Sequence, residues 1–244
     1  MTDKEEGGRK YWLMKAEGES RIVKGIDVAF TFEMLEKITK DGKMESWSGV
    51  RNYEARNMIR DQMSVGDYAF LYCSNCKFPH IKGVMEICSN PHPDDSCWDP
   101  SDPYYDPKST KENPRWYSIG VQSRYPLKRS ITLRELKMHL NGKLSQMSLL
   151  NRARLSISKV RQEEWDFIHQ LAELPEPSEI QEAREKENLK EMKKRERNIK
   201  DDEKDNGKQK KSKSPYNSAV EDDDTSLNKI KQSRIKKCDI ETKI

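Results

Sequence analysis

All five tryptophans, all five phenylalanines and eight of the nine tyrosines lie before Pro177, and after it the only aromatic residue is Tyr216. Ordering a chain is opposed by its conformational entropy, and large apolar side chains supply most of what offsets it. The core is therefore confined to the first part of the sequence, which is long enough to bury one core of ordinary size. The expected organisation is a disordered N-terminus over 1–9, one domain over 10–177 and a charged low-complexity tail over 178–244. Within that tail, 178–200 has strong helix formers and Glu/Lys pairs at i,i+4 but no continuous apolar face, so it is expected to be partly helical and the rest disordered.

Charge narrows the function classes. The tail carries 19 Lys and Arg against 16 Asp and Glu, and the preceding residues 27 against 26, within a net charge of +4. A domain so close to neutrality is not a general polyanion binder, and a phosphate patch must come from local segregation of charge. The five cysteines, Cys73, Cys76, Cys88, Cys97 and Cys238, are an odd number, and no secretory leader precedes Tyr11. Reduced thiols and an intracellular protein are expected. The longest apolar stretches, such as Tyr68 to Cys73, fall far short of the roughly 20 residues that span a bilayer, so no membrane partner is expected.

Patterning predicts strands over 11–16, 68–73, 81–89, 116–125 and 155–157. Helices are predicted over 32–38 after a Thr31 cap, over 52–63, over 133–140 after a Thr132 cap, and over 162–174, where Pro175 ends the chain of helical spacings. Residues 17–25 read as a loop, and the recurring prolines from Asn90 to Arg115 as a long one. Strands interleaved with short helices, without a repeated strand-helix-strand unit, indicate a mixed, barrel-like α+β domain.

The densest constellation is Trp47-Ser-Gly-Val-Arg51-Asn52-Tyr53-Glu-Ala-Arg56-Asn57, an aromatic, a glycine and several hydrogen-bonding groups entering a helix. A flipped or single-stranded base is held by stacking and identified along its edge, while arginines and helix N-termini take phosphates. Trp12, Trp47 and Tyr53 are candidates for stacking, and Arg51, Asn52, Ser74 and Asn75 for reading or anchoring. Arg56, Arg124, Arg152 and Arg154 are candidate phosphate contacts. Residue types alone favour a simpler account, with Trp47 and Tyr53 as core aromatics and Arg51 and Arg56 in surface ion pairs. Cys73 and Cys76 with Cys88, Cys97, His80 or His92 as a zinc site, or Cys73 with His80 as a nucleophile, are weaker readings than free thiols. No metal, cofactor or enzymatic activity is expected. In the tail, Lys208, Lys210, Lys211 and Lys213 form a candidate nuclear localisation signal for import receptors, with Ser212 and Ser214 as candidate phosphorylation sites beside it.

The opening Tyr11-Trp12-Leu13-Met14-Lys15-Ala16-Glu17, the run Trp47 to Asn57, and Phe70-Leu-Tyr72-Cys73-Ser74-Asn75 together resemble the signatures of the EVE-domain family. The likeness continues through Tyr105-Asp106-Pro107-Lys108-Ser109, Pro114-Arg-Trp116 and Arg154-Leu155-Ser156-Ile157 to Glu164-Trp165, covering roughly 10–174. The resemblance implies a PUA-like fold, a small curved β-barrel with flanking short helices, and a pocket associated with modified cytosines in DNA, notably 5-hydroxymethylcytosine. By position the pocket wall is then Trp12, Trp47, Arg51, Asn52 and Tyr53, with Ser74 and Asn75 opposite. Gly18, Cys73 and Gly120 depart from the family pattern, where Pro, His and Asp are usual. The implied function is a monomeric nuclear reader of 5-hydroxymethylcytosine or 5-methylcytosine that holds a flipped base in an aromatic cage. RNA binding by the same pocket and a protein-interaction scaffold with a vestigial pocket are the alternatives.

Overall fold

A computed structural model of the chain describes residues 8–211. The first strand, β1 (Tyr11–Glu17), is followed by a two-residue-stranded hairpin of β2 (Ile22–Val23) and β3 (Ile26–Asp27), then α1 (Phe32–Lys40), β4 (Glu45–Ser46) and α2 (Tyr53–Gln62). The strands β5 (Tyr68–Ser74) and β6 (His80–Ile87) form an antiparallel pair, and the proline-rich segment after them holds β7 (His92–Pro93). After β8 (Tyr117–Ser118) and β9 (Gly120–Thr132) come α3 (Leu133–Met138), α4 (Ser148–Asn151), β10 (Ile157–Val160), α5 (Gln162–Glu173) and α6 (Ser178–Lys211).

Six strands form one mixed sheet in the order β10-β1-β5-β6-β9-β4, with β1 and β5 parallel. Alternation along the two central strands explains why they read as nearly unbroken apolar runs. Trp12, Met14 and Ala16 of β1 join Ala69, Leu71 and Cys73 of β5 in one core, against Phe32 and Leu35 of α1 and Ala55 and Ile59 of α2. Leu13, Phe70 and Tyr72 point the other way, onto Leu136 of α3, Leu149 of α4 and Trp165, Ile168 and Leu171 of α5. A sheet covered on both faces needs apolar residues at both parities. Register shifts at Leu71/Tyr72, Ile81/Gly83 and Val84/Met85 mark bulges, which bend the strands and curl the sheet into a half-barrel. The expected α+β, PUA-like architecture is present, with its barrel left open between β10 and β4.

The helix starts follow from local chemistry. Thr31 Oγ1 accepts from the Met34 amide, Asn52 Oδ1 from Ala55 and Thr132 Oγ1 from Glu135, each relieving one of the amides that a helix leaves unpaired. The segment expected as a loop over 17–25 instead contains part of a hairpin, closed by Lys24 and Gly25 at positive φ. The last strand of the sheet lies at Ile157–Val160, later than the 155–157 expected, because it is set by pairing with β1 (Met14 opposite Ile157, Tyr11 opposite Val160).

Trp12 is anchored from below. Its indole Nε1 donates to Asp67 Oδ2 (2.9 Å), and the same carboxylate accepts from the backbone amides of Ser64 (3.0 Å) and Lys10 (3.1 Å). Asp67 is buried, so Asp67→Ala strands these donors and is expected to destabilise the domain by about 2 kcal/mol. A reduced urea midpoint with an unchanged slope is the signature to look for.

The compact unit that contains the sheet ends at Glu185. Ile180 is buried within it and Arg184 pairs with Glu176 (2.7 Å). From Lys186 the described chain is a charged helix with Leu189 and Met192 exposed and an i,i+4 pair between Glu191 and Arg195 (2.8 Å). Helix extends to Lys211, past the 178–200 expected, since the same helix formers continue there. The side chains of Lys208, Lys210 and Lys211, and all of Ser212, Lys213 and Ser214, lie outside the described residues.

Candidate nucleic-acid site

A cavity of ≈ 870 Å³ opens where β4 runs into α2. Its walls come from the end of β1 (Lys15–Glu17), the segment 26–30, the turn from Glu45 to Asn52, the β5 end at Ser74 and Asn75, the loop residues Asp102–Tyr104, and 153–156. Trp47 is the floor. Its amide donates to Ile119 O (2.8 Å), continuing the β4–β9 pairing, and its ring meets Phe30 edge-on at 5.9 Å. Gly49 sits at φ +74°, and a Cβ there would lie 2.7 Å from the Tyr104 ring. Glycine is therefore needed both for the backbone conformation and for Tyr104 to close over the turn.

Arg51 lines the cavity, but its guanidinium is used inside the protein. Nη1 donates to Asp94 Oδ2 (2.7 Å), Nη2 to Ser96 Oγ (3.1 Å), and Nε to Tyr104 O (2.7 Å), which Nη2 also reaches. Asp94 is fully buried and also accepts from the Gly49 amide (2.9 Å). Arg51 is thus a brace that fixes the proline-rich loop, and with it Tyr104, against the β4–α2 turn. The expectation that it reads a base is corrected accordingly.

The remaining candidates divide between the cavity and elsewhere. Asn52 lines the cavity; its Oδ1 caps α2, and its Nδ2 has no partner among the described residues. Ser74 Oγ donates to Ala16 O (2.8 Å), tying the ends of β1 and β5 together. Asn75, at φ +50°, donates to the Glu17 carboxylate (2.9 and 3.0 Å). Trp12 does not reach the cavity: strand alternation sends it into the core with Met14 and Ala16. Tyr53 is exposed on the outer side of α2, stacked on Trp116 at 4.9 Å and receiving a hydrogen bond from Arg115. Each helical residue turns the side chain by about 100°, so Tyr53 leaves the cavity as Asn52 faces it.

The phosphate candidates are similarly divided. Arg56 donates to Arg115 O (2.6 Å) beneath Tyr53, Arg124 pairs with Glu86 (3.2 Å), and Arg152 forms a fork with Glu54 (2.5 and 2.6 Å). None of the three lines the cavity. Arg154 does; it is exposed and has no ion-pair partner among the described residues. Lys15 lies beside it in the wall, donating to Ala153 O (2.7 Å), with burial holding its amine below the usual lysine range. Sequence reasoning missed Phe30, Tyr104 and Glu45. Glu45 was within reach, since the two-residue spacing from Trp47 in an extended strand puts both on one face.

Cys73, Cys76, Cys88 and Cys97 are free thiols; Cys238 lies outside the described residues. Among the described residues no group of three or more His, Cys, Asp or Glu is placed to hold a metal. Cys73 stands opposite His80 across the β5–β6 ladder, and burial pushes its thiol up to about 11, far from a poised nucleophile. Two of the departures from the family pattern meet in space: a Cβ at Gly18 would lie 2.9 Å from Cys73 Cβ and 3.1 Å from Cys76 Sγ. The third, Gly120, is packed against Met44 and Ser89, away from the cavity.

The family model described as EVE domain matches residues 10–171, the whole of the sheet and its covering helices as far as α5. The chain belongs to the EVE-domain family. It is similar to the protein C21.03c of Schizosaccharomyces pombe (67% identical over 237 residues, 97% of this chain and 96% of that one). It is also similar to human thymocyte nuclear protein 1 (45% identical over 174 residues, 69% of this chain and 76% of that one). Among solved structures, the EVE domain here matches human THYN1 protein in complex with 5-methylcytosine-containing DNA, with a TM-score of 0.65 and 44% identity over 69% of this chain and 99% of that chain.

Proposed function

We propose that this protein is a nuclear reader of modified DNA bases, of the 5-methylcytosine or 5-hydroxymethylcytosine class, that receives a flipped base in the cavity walled by Trp47, Phe30 and Tyr104. The observation that carries the reading is that these three aromatic residues line one cavity of ≈ 870 Å³, large enough for a nucleoside. Unstacking a base is unfavourable by a few kcal/mol, and aromatic walls restore the lost stacking. Arg154 and Lys15 supply positive charge at the rim, where flanking phosphates would lie. The DNA-bound human relative, similar across the same domain, supports DNA as the partner. The role is binding without catalysis or cofactor, by a monomer, with the basic tail segment at Lys208, Lys210, Lys211 and Lys213 engaging import receptors.

The test is binding of the full chain, at one stated salt concentration, to matched duplexes carrying cytosine, 5-methylcytosine or 5-hydroxymethylcytosine, and to an RNA carrying N6-methyladenosine. A preference of at least about fivefold for one modified cytosine is expected, since a base-specific contact is worth roughly 1–3 kcal/mol. Tighter binding to the RNA would move the same cavity to a different nucleic acid. Equal, weak binding to all four would leave the domain as a scaffold and remove the proposal.

A further inference from the structure

We infer that Glu45 reads the Watson–Crick edge of the base, accepting from the 4-amino group of cytosine and so excluding thymine; this deepens the cavity reading above and rests on it. Four carboxylates line the cavity: Glu17, Asp27, Glu45 and Asp102. Three are already occupied. Glu17 is held by Arg21 (3.0 Å) and Asn75, Asp27 by Ser20 and the amides of Arg21 and Ala29, and Asp102 by the Tyr104 amide (2.7 Å). Glu45 has no hydrogen-bond or ion-pair partner among the described residues.

Its position is defined by the sheet and not by a loop. Glu45 lies opposite Val121 and Ser46 opposite Gly120 in the β4–β9 ladder, and the Trp47 amide continues that pairing. Two residues apart on an extended strand, Glu45 and Trp47 share a face. A ring stacked on the Trp47 indole would therefore present an edge toward the carboxylate, on a support rigid enough for base discrimination.

The chemistry separates two bases that differ little in shape. 5-Methylcytosine and thymine carry the same C5 methyl, but cytosine presents a 4-amino donor where thymine presents a carbonyl oxygen. An ionised carboxylate only accepts, so it pairs with the first and repels the second. Burial raises the Glu45 carboxyl above its usual range, and the ionised form is the one that discriminates, because a protonated carboxyl would donate to thymine O4 and accept from its N3–H.

The experiment uses the full chain and duplexes in which 5-methylcytosine or thymine stands opposite an abasic site, so that neither base is paired and flipping energies match. The wild type is expected to favour 5-methylcytosine over thymine by about ten- to a hundred-fold, the range of one good base-edge contact. Glu45→Gln keeps the size and adds an amide donor that suits thymine O4, so the ratio is expected to fall below about threefold with the fold intact by circular dichroism. Trp47→Ala serves as the control for the cavity and is expected to weaken both duplexes alike. A Glu45→Gln ratio equal to that of the wild type, with Trp47→Ala still impaired, overturns the role of Glu45 alone. Trp47→Ala binding as well as the wild type overturns the cavity reading, and the role of Glu45 with it.

Discussion

Arg51→Ala is expected to destabilise the domain by about 3 kcal/mol, the low end of what removing one partner of a buried ion pair produces. The magnitude follows from what is left behind. Asp94 is fully buried, and without the guanidinium its negative charge keeps only the amides of Gly49 and Ser96 and the Ser96 hydroxyl as donors. Those hydrogen bonds hold the expected loss at the bottom of the range but do not replace the opposite charge. The Tyr104 carbonyl also loses its donors. Arg51→Lys restores a positive charge as a single point, without the planar fork that spans Asp94, Ser96 and Tyr104, so an intermediate stability is expected. Urea unfolding of the three proteins gives the order directly. Pairing Arg51→Ala with Asp94→Asn removes the stranded charge, and the double variant should be less destabilised than the sum of the singles. A loss under about 1 kcal/mol for Arg51→Ala would show that the guanidinium does not brace this loop.

The same residue shows where sequence reasoning stops. Helix starts were legible because a cap is decided within three residues: Thr31 and Thr132 accept the amides that their spacing promised, while Asn52, expected as the first residue of its helix, proves to be its cap. The strands β1, β5 and β6 were legible because alternation over a two-sided sheet produces long apolar runs. Of the residues in the family signature, Trp47, Arg51 and Asn52 line one cavity. The signature did not say which way each side chain points. Trp12 was assigned to the cavity, although its spacing with Met14 and Ala16 already put it on a core face. Tyr53 follows Asn52 by one residue, and entry into α2 turns it out of the site. Tyr104 was beyond reach for a different reason. Its place depends on hydrogen bonds to Arg51 across 53 positions, and no local pattern in a proline-rich loop encodes such a contact.

Trp47→Ala is expected to lower affinity for the preferred duplex by roughly 5- to 150-fold, the range of about 1–3 kcal/mol for one lost base–aromatic stack. Trp47 is 7% exposed and packs against Phe30, so the substitution also destabilises the fold, by about 3–5 kcal/mol if the site collapses poorly. Affinity must therefore be measured where circular dichroism shows the variant still folded, and Trp47→Phe, which keeps an aromatic face, should recover part of both losses. The informative contrast is with Tyr53→Ala. Tyr53 belongs to the same signature, only six residues later, and is exposed on the opposite side of the α2 N-terminus, stacked on Trp116. If the base enters the cavity, Tyr53→Ala leaves affinity within about twofold, since a surface aromatic away from the base contributes no stack. The reverse pattern, with Tyr53→Ala impaired and Trp47→Ala intact, would place the nucleic acid along the outer surface of α2, where Arg56 and Arg115 flank the Tyr53 ring at 5.1 and 5.7 Å. The two substitutions thus separate a base taken into the cavity from a strand laid across the outside of the domain.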